Sequence, residues 1–293
     1  MLNINLHDKS FRPDASTVRG RVPRYWNYLN RGDSINRSDI TVRTHGEIFQ
    51  GFQGHPRERQ FGMAWESAAI VPDLYQALSL HAPMLTQHYK HIFTYHPDLL
   101  KQDPELFKYA PSYGHWMDTE YGGSSVDEGG KNRTCALVIS AKNMAPGHAL
   151  RAWCGQRYRS QHIDLFGDGV GRPFAKSSEV LSPYLFHLAI ENNVMDNYIT
   201  EKVLNCFATK TVPVYWGAAN IGNWFNPDGI IRFEDFVEGM KNVSTIDEYL
   251  TSPLYRSMVN AIEDNYERVK AWGRPIEDYI HEEYFGSAKK DTK

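Results

Sequence analysis

A dense group of polar residues follows an apolar run in the second half of the chain. The run extends from Tyr184 to Ile190, and Glu191, Asn192 and Asn193 come directly after it. A continuous apolar run of this length is typical of a buried strand in a parallel sheet. Ligands of open α/β sheets bind beyond the carboxyl ends of the strands, so this polar group is a candidate binding site.

A helix is predicted shortly after this group, and its first turn carries a cation. Thr200 can act as the N-cap, and Glu201 and Lys202 follow it. The N–H groups at a helix start and the Lys202 ammonium together suit a phosphate group. Glu201 and Asn192 offer partners for sugar hydroxyls or a base edge. A capped helix with a solvated charged face explains the same residues, and the residue types alone leave both interpretations open.

A second predicted helix, upstream of this one, places two further polar residues on one face. It follows a strand-like run from Cys135 to Ser140, and His148 and Arg151 lie three positions apart on it. Arg151 could supply a bidentate phosphate contact. The sequence has no D-x-D pattern of the kind that holds a divalent metal, and its nearest match is Asp118 to Glu120. We therefore expect no metal site, with phosphate charge met by Arg and Lys.

The elements in the first half of the chain predict a parallel sheet. The segment Phe61–Trp65 is expected to be a strand, Pro72–Leu80 a helix and His91–Tyr95 another strand. Glu66 follows the first strand, where a catalytic carboxylate could lie. From its position alone, a helix-capping or solvent-facing Glu is the simpler interpretation. Residues 1–60 are polar and Arg-rich, and they give no clear pattern of elements.

Two segments further along the chain mark turns. The region from Pro111 to Asn132 is rich in Gly, Ser and Asp, which indicates a loop or a linker between two domains. The run from Gly167 to Gly171 resembles the start of a dinucleotide-binding G-x-G-x-x-G motif. Position 172 is Arg, however, and Pro173 stands where a helix should begin, so a tight turn is the better interpretation.

Residues 246–284 show helical spacing and predict one or two amphipathic helices.

Composition limits the class of protein. A chain of 293 residues that is 41% hydrophobic is expected to be a globular protein with two domains or one large domain. Its net charge of -3 gives no general attraction to nucleic acid or anionic membranes. The three cysteines lie far apart and predict neither a zinc site nor a disulfide framework, which favours a reducing compartment. No apolar run approaches the roughly 18 residues of a membrane span, and the first residues lack the apolar core of a signal peptide.

Three blocks of the chain closely resemble the donor-binding motif of the α-1,3/4-fucosyltransferase family, glycosyltransferase family 10. The upstream segment from Ser140 to Arg151 is similar to the same family's approach to that motif. The resemblance covers about the C-terminal half of the chain, and the N-terminal half matches loosely, through Trp65 to Ser67 and His91 to Leu100. The three blocks are Tyr184–Asn192, Tyr198-Ile-Thr-Glu-Lys202 and Thr211-Val-Pro-Val-Tyr-Trp-Gly217.

The resemblance implies an α/β, GT-B-like fold of two Rossmann-like domains with the donor site in the C-terminal domain. We expect an acceptor-side domain over residues 1–125, a nucleotide-sugar domain over 126–255, and closing helices and a tail over 256–293. The implied reaction is an inverting, metal-independent transfer of fucose from GDP-fucose to a glycan hydroxyl, with no cofactor. Within that family, the resemblance implies a soluble protein of the bacterial or viral type. Its expected location is the cytoplasm of a bacterium or of a virus-infected cell.

The resemblance also implies roles for individual residues. The base that activates the acceptor best matches Glu66, and Arg151 and Lys202 match the groups that stabilise the leaving diphosphate. The expected partners are a nucleotide-sugar donor and an oligosaccharide acceptor, with no nucleic acid and no integral membrane segment. The expected donor-binding residues are His148, Arg151, Asn192, Tyr198, Glu201 and Lys202.

Other functions remain open at this point. A related glycosyltransferase could use a different nucleotide sugar, because a single pocket residue can change donor choice. A non-catalytic protein that binds nucleotide sugars or glycans is a further alternative. A nicotinamide oxidoreductase is disfavoured, because the dinucleotide motif fails at Arg172 and no early βαβ unit carries it.

Overall fold

The chain folds into two compact units. A computed structural model describes residues 1–8, 22–29, 37–50, 55–112, 114–117 and 130–286. The first unit comprises Met1–Gly114 and Arg274–Lys293, and the second comprises His115–Gly273. The predicted domain boundary at residues 125 and 126 and the acidic turn from Asp118 to Glu120 lie outside the described residues.

The first unit contains a six-stranded parallel sheet with the strand order β2-β1-β3-β4-β5-β6. The helix predicted from Pro72 to Leu80 is confirmed with these bounds. It forms, with a second helix, the crossover from β4 to β5. The strands are β1 (Leu2–His7), β2 (Trp26–Tyr28), β3 (Ile40–Thr44), β4 (Gln60–Ala64), β5 (His91–Thr94) and β6 (Phe107–Tyr109), and the helices are α1 (Pro72–Leu80), α2 (Ala82–His88) and α3 (Pro97–Gln102).

Several strands of this sheet, β1 and β3 among them, have no counterpart in the sequence prediction. In β1 only Ile4 is fully buried, so the strand lacks a continuous apolar run. In β3 every residue is buried, although three of the five are polar. The Arg43 guanidinium donates to Gln60 Oε1 at 2.7 Å, a tertiary contact with β4 that the local sequence pattern does not reveal.

The second unit contains a five-stranded parallel sheet with the order β11-β10-β9-β7-β8. The strand predicted from Tyr184 to Ile190 is confirmed with these bounds as β9. The strands are β7 (Arg133–Val138), β8 (Ile163–Phe166), β9 (Tyr184–Ile190), β10 (Val212–Trp216) and β11 (Ile231–Arg232), and the helices are α4 (Pro146–Tyr158), α5 (Glu201–Ala208), α6 (Phe233–Gly239), α7 (Ile246–Tyr249), α8 (Ser252–Ser257) and α9 (Val259–Val269).

The central strand β9 is buried on both faces, which explains its continuous apolar sequence. Phe186 and Leu188 pack in the cluster that contains Tyr158 of α4, and Ala189 packs in the cluster that contains Phe207 of α5. Burial of each such large apolar side chain contributes about 1.5–3 kcal/mol. Helices thus cover both faces of a parallel sheet, and the predicted α/β class with two Rossmann-like units is confirmed.

The last described part of the chain differs from the prediction of one or two helices over residues 246–284. Four short α-helices occupy it, with α7, α8 and α9 in the second unit and α10 (Ile276–Ile280) in the first. Pro253 lies in the first turn of α8, and Pro275 directly precedes α10. Because proline lacks the N–H that a helix interior needs, each of the two marks the start of a new helix. The prediction of a tight turn after β8 is confirmed by the bridge between Gly167 and Arg172.

Candidate functional site

The polar group after β9 lies at the carboxyl end of the second sheet, as the sequence predicts. Ile190 pairs with Trp216 at the ends of β9 and β10, and the Glu191 N–H donates to the Trp216 carbonyl at 2.8 Å. Glu191, Asn192 and Asn193 are all buried. Buried polar groups require hydrogen-bond partners, and α4 and the start of α5 supply such partners to Asn192 and Glu191.

The helix α5 begins at the predicted N-cap. The Lys202 N–H donates to Thr200 Oγ1 at 3.4 Å, which confirms Thr200 as the cap. The cap is itself held by β9, because the Thr200 N–H donates to Glu191 Oε1 at 2.9 Å and its hydroxyl donates to Oε2 at 2.6 Å. The start of α5 is therefore fixed to the end of the central strand.

The Lys202 ammonium lies among oxygen atoms at this helix start. Its Nζ is 2.8 Å from Glu201 Oε1, 3.2 Å from Thr200 Oγ1 and 3.8 Å from Glu191 Oε2. Burial lowers the pKa of Lys202, but the charges of Glu201 and Glu191 outweigh burial and raise it. The side chain is 25% exposed, and its raised pKa keeps the ammonium charged at neutral pH.

Arg151 of α4 is buried against the same strand end. Its Nη1 donates to the Ile190 carbonyl at 2.5 Å, and its Nη2 donates to Asn192 Oδ1 at 3.1 Å. Burial lowers the pKa of Arg151, although the charge of Glu191 opposes this shift. The Asn192 amide donates in turn to Tyr198 Oη at 3.5 Å. Tyr198 is fully buried, where its hydroxyl supports Asn192.

His148 lies three positions before Arg151, and the structure fixes its tautomer. The Ala145 N–H donates to His148 Nδ1 at 3.1 Å, so the ring proton resides on Nε2. Burial lowers the pKa of His148 to about 4, and the cations Arg151, Lys202 and Lys142 add to this shift. The imidazole is therefore neutral at pH 7 and keeps Nε2–H as its remaining donor.

A glycine brings α4 against β9. The Gly147 N–H donates to the Asn192 carbonyl at 3.0 Å, and a Cβ at this position would lie 1.7 Å from the Glu191 carbonyl oxygen. No other residue fits this approach. The sequence prediction names Glu191 only as a member of the polar group after β9, without a role of its own, and it does not name Gly147 as a site residue.

Glu66 lies in the first unit, just beyond the end of β4, and is partly buried. Its Oε1 accepts from the Ser67 N–H at 2.7 Å, and its own N–H donates to His45 Nε2 at 3.3 Å. Its carbonyl accepts from Tyr75 Oη at 2.6 Å and Tyr95 Oη at 3.2 Å. The structure thus gives Glu66 a local capping contact and a tightly held backbone.

His45 is a residue of this edge that the sequence prediction misses, because it follows the unpredicted strand β3. Its φ of 47° lies in the left-handed region, which is uncommon for a residue with a side chain. Its ring centroid lies 4.4 Å from that of Trp65. Burial lowers the pKa of His45, while Asp8 and Glu66 oppose the shift. The neutral ring is the form whose Nε2 can accept from Glu66.

Three further findings concern the described residues only. They contain no group of three or more His, Cys, Asp or Glu side chains placed to hold a metal ion. None of their helices combines the length and the apolar character that crossing a membrane requires. Cys135, Cys154 and Cys206 are buried free thiols, and burial raises the pKa of each.

Comparison with known proteins places the site within a defined family segment. Residues 129–273 match the sequence model described as glycosyltransferase family 10 (fucosyltransferase) C-term. This segment contains every predicted donor-binding residue. A crystal structure of an alpha1,3-fucosyltransferase is similar with a TM-score of 0.50 and 15% sequence identity, covering 94% of this chain and 81% of that chain. At this identity the likeness concerns the fold, and it agrees with the predicted GT-B-like class.

The similar sequences are fucosyltransferases of very different organisms. An alpha-(1,3)-fucosyltransferase of Helicobacter pylori is 28% identical over 100 residues, which are 32% of this chain and 21% of that protein. A putative fucosyltransferase of Acanthamoeba polyphaga mimivirus is 36% identical over 88 residues, covering 28% and 14%. The 4-galactosyl-N-acetylglucosaminide 3-alpha-L-fucosyltransferase 9 of Mus musculus is 30% identical over 137 residues, covering 44% and 37%. The chain therefore spans less than half of the length of each of these three relatives.

Proposed function

From the match of residues 129–273 to the sequence model of glycosyltransferase family 10 (fucosyltransferase) C-term, we propose that this protein transfers fucose from GDP-fucose to a hydroxyl group of an acceptor glycan. One observation carries the proposal. Two cations, Arg151 and Lys202, are held by hydrogen bonds and ion pairs to the carboxyl end of the same strand, at the predicted nucleotide-sugar site. The three relatives described above are all named as fucosyltransferases, which supports the choice of donor sugar.

The two cations suit the leaving group of such a transfer. When the anomeric C–O bond breaks, negative charge develops on the diphosphate, and positioned cations stabilise it most where water is excluded. Lys202 would approach the diphosphate from the start of α5, and Arg151 from α4. In this proposal Arg and Lys supply the positive charge, so the reaction needs no divalent metal.

The remaining polar groups of the site suit the nucleoside and the sugar. Glu201 accepts hydrogen bonds and already contacts Lys202, so it can bind a hydroxyl beside the diphosphate. Asn192 is held by Arg151 and Tyr198, which fixes its amide group for contact with the donor. His148 offers Nε2–H. We assign these residues to donor binding on this basis.

Glu66 completes the proposed reaction as the general base. The acceptor oxygen attacks the anomeric carbon on the face opposite to the diphosphate, its proton passes to the Glu66 carboxylate, and the electron pair of the broken bond leaves with GDP. This single displacement inverts the anomeric configuration. The backbone of Glu66 is held by the His45 and Tyr75 side chains, which supports this role. A general base must first be positioned within reach of the proton that it accepts.

A thermal-shift panel with GDP, UDP, ADP, CMP and GDP-fucose, each with and without EDTA, tests the donor assignment. A ligand at 100 times its dissociation constant stabilises a protein by about 2.7 kcal/mol, which raises the melting temperature. We expect stabilisation by GDP and GDP-fucose that EDTA does not change. Selective stabilisation by UDP would indicate another nucleotide sugar, and loss of the effect in EDTA would contradict metal independence.

A turnover assay separates an enzyme from a binding protein. GDP release from GDP-fucose is measured with a panel of oligosaccharide acceptors. We expect acceptor-dependent release, with fucose found on the glycan by mass spectrometry. Tight GDP binding without release in the presence of any acceptor would favour a non-catalytic nucleotide-sugar-binding protein.

A further inference from the structure

Glu191 contacts both cations of the candidate donor site. Its Oε2 lies 3.8 Å from Lys202 Nζ, and its carbonyl oxygen accepts from Arg151 Nη1 at 3.5 Å. Its side chain is fully buried, with 0% exposure. A buried carboxylate is unfavourable unless it is paired and hydrogen-bonded, so the surroundings of this residue are informative.

The carboxylate joins the central strand to the helix that carries Lys202. Both of its oxygens accept from Thr200, one from the backbone N–H and one from the hydroxyl. Thr200 Oγ1 lies in turn 3.2 Å from Lys202 Nζ. The contacts from Glu191 through Thr200 to Lys202 therefore run from the end of β9 into the first turn of α5.

The stem of Glu191 is enclosed by the chain after β10. A Cβ at Gly217 would lie 2.6 Å from Glu191 Cγ and 2.3 Å from Tyr215 Oη. The carbonyl of Glu191 is covered by Gly147 of α4. The backbone of Glu191 thus packs against α4, and its side chain packs against the start of α5 and the residues after β10. A small displacement of Glu191 must therefore move these neighbours.

We propose that Glu191 is a positioning residue for the transfer reaction. Its carboxylate sets the location of the Lys202 ammonium and of the first turn of α5, while its carbonyl contacts the Arg151 guanidinium, so that both cations address one diphosphate. The inference rests on the proposed function. It concerns how the cations are placed and assigns Glu191 no contact with the substrate.

Electrostatics and positioning predict opposite effects of neutralising Glu191. Removal of a negative charge beside Lys202 favours binding of an anion, so simple charge balance predicts tighter GDP binding in Glu191→Gln. Misplacement of a catalytic cation lowers turnover, because loss of geometry by about 1 Å can reduce a rate by as much as 10²-fold. We expect kcat to fall by about tenfold or more, while GDP affinity stays within about threefold of the wild-type value.

Titration of Glu191 provides a second measurement. Burial raises the pKa of Glu191 to about 6, although the Lys202 charge opposes the shift. Protonation removes one of the two carboxylate charges beside Lys202, so kcat of the wild type falls as pH decreases through about 6, and Glu191→Gln lacks this step. The charged and titratable groups that face Glu191 are Glu201, Lys202 and Cys206 on α5, Arg151 on α4 and Tyr215 on β10.

The experiment compares Glu191→Gln, Thr200→Val, their double variant and Thr200→Ser. For each we measure kcat, the KM for GDP-fucose, GDP affinity by calorimetry and the melting temperature. If the two residues act together, the double variant loses no more than the larger single loss, and Thr200→Ser recovers most of what Thr200→Val loses. The matched control is Glu267→Gln, which removes a carboxylate paired with Lys270 at 2.5 Å on the surface of α9.

Two results would overturn the inference. One is a wild-type kcat and pH profile in Glu191→Gln. The other is a loss of GDP affinity and melting temperature in proportion to kcat, which would reduce Glu191 to a structural cap. If Glu191→Gln fails to fold, Thr200→Val tests the same contact from the other side.

The inference can fail separately from the proposed function. If the wild type does not turn over GDP-fucose with any acceptor, the proposed function fails, and the placement of Lys202 is then tested by NMR. The ¹⁵Nζ resonance of Lys202, assigned with Lys202→Arg, should shift in Glu191→Gln and stay unchanged in Glu267→Gln. An unchanged resonance in Glu191→Gln would overturn the positioning role.

Discussion

The carboxyl edges of the two parallel sheets carry opposite charges at their predicted catalytic residues. At the edge of the first unit, Glu66 is held by backbone and aromatic hydroxyl contacts. At the edge of the second unit, Arg151 and Lys202 are held by carbonyl and carboxylate oxygens. An edge that must take up a proton needs a carboxylate, and an edge that must stabilise a diphosphate needs cations. The same sheet architecture would thus supply both requirements of the proposed glycosyl transfer.

The two edges also share one device. Each contains a histidine whose pKa burial lowers, the partly buried His45 in the first unit and the buried His148 in the second. Each ring accepts from a backbone N–H, that of Glu66 or that of Ala145. The neutral imidazole therefore fixes the local backbone beside the charged residue in both units, and the charged residue alone decides the chemistry of each edge.

Substitution of Glu66 by Gln should have the largest effect and should separate the two edges. Loss of a general base lowers rates by about 10²–10⁴-fold. GDP binding should be unchanged, because the donor residues belong to the other unit. Turnover and calorimetric GDP titration check this expectation, with Glu58→Gln, at an exposed position before β4, as the control. Loss of GDP binding together with a lower melting temperature would mean that the variant misfolds.

Replacement of Arg151 by Lys should reduce both turnover and GDP affinity, whereas Glu66→Gln should reduce turnover alone. A lysine cannot reproduce the fork that contacts the Ile190 carbonyl through Nη1 and Asn192 through Nη2. We expect kcat to decrease by about 10²-fold, on the scale of a lost electrostatic stabiliser. Arg157→Lys on the exposed part of α4 is the matched control. Near-normal turnover in Arg151→Lys would refute the assignment of the second edge to the diphosphate.

The second unit is predictable from the sequence to a greater extent than the first. The β9 strand has the predicted bounds because a continuous apolar run marks a strand that is buried on both faces. The start of α5 lies where it is predicted because Thr200 is an N-cap that the local sequence reveals. In the first unit, β3 escapes prediction because Arg43 is buried through a contact with β4, which depends on tertiary structure. The close approach at Gly147 and the buried contacts of Glu191 are hidden for the same reason, although Glu191 belongs to the predicted polar group, since close approach and burial are absent from a local pattern.

The smallest predicted effect concerns the histidine of the second edge and appears in stability at acid pH. The pKa of His148 is about 4 in the folded chain, against 6.5 in the unfolded chain. As pH falls, the unfolded chain binds this proton first, so the stability contributed by the neutral ring is complete above 6.5 and is lost toward 4. Between pH 7 and 5.5 the wild type should lose about 1 kcal/mol more than His148→Gln, whose amide oxygen can still accept from Ala145.

Chemical denaturation at the two pH values measures this difference directly. Glu191 acts in the opposite sense, because its pKa is raised to about 6, and it is present in both proteins, so the comparison isolates His148. The control is Gln156→Asn, at an exposed position of α4. It adds and removes no titratable group, so it should leave the pH dependence of the wild type unchanged. Equal losses in the wild type and His148→Gln would show that the ring is not held neutral by burial, and the parallel between His45 and His148 would then fail.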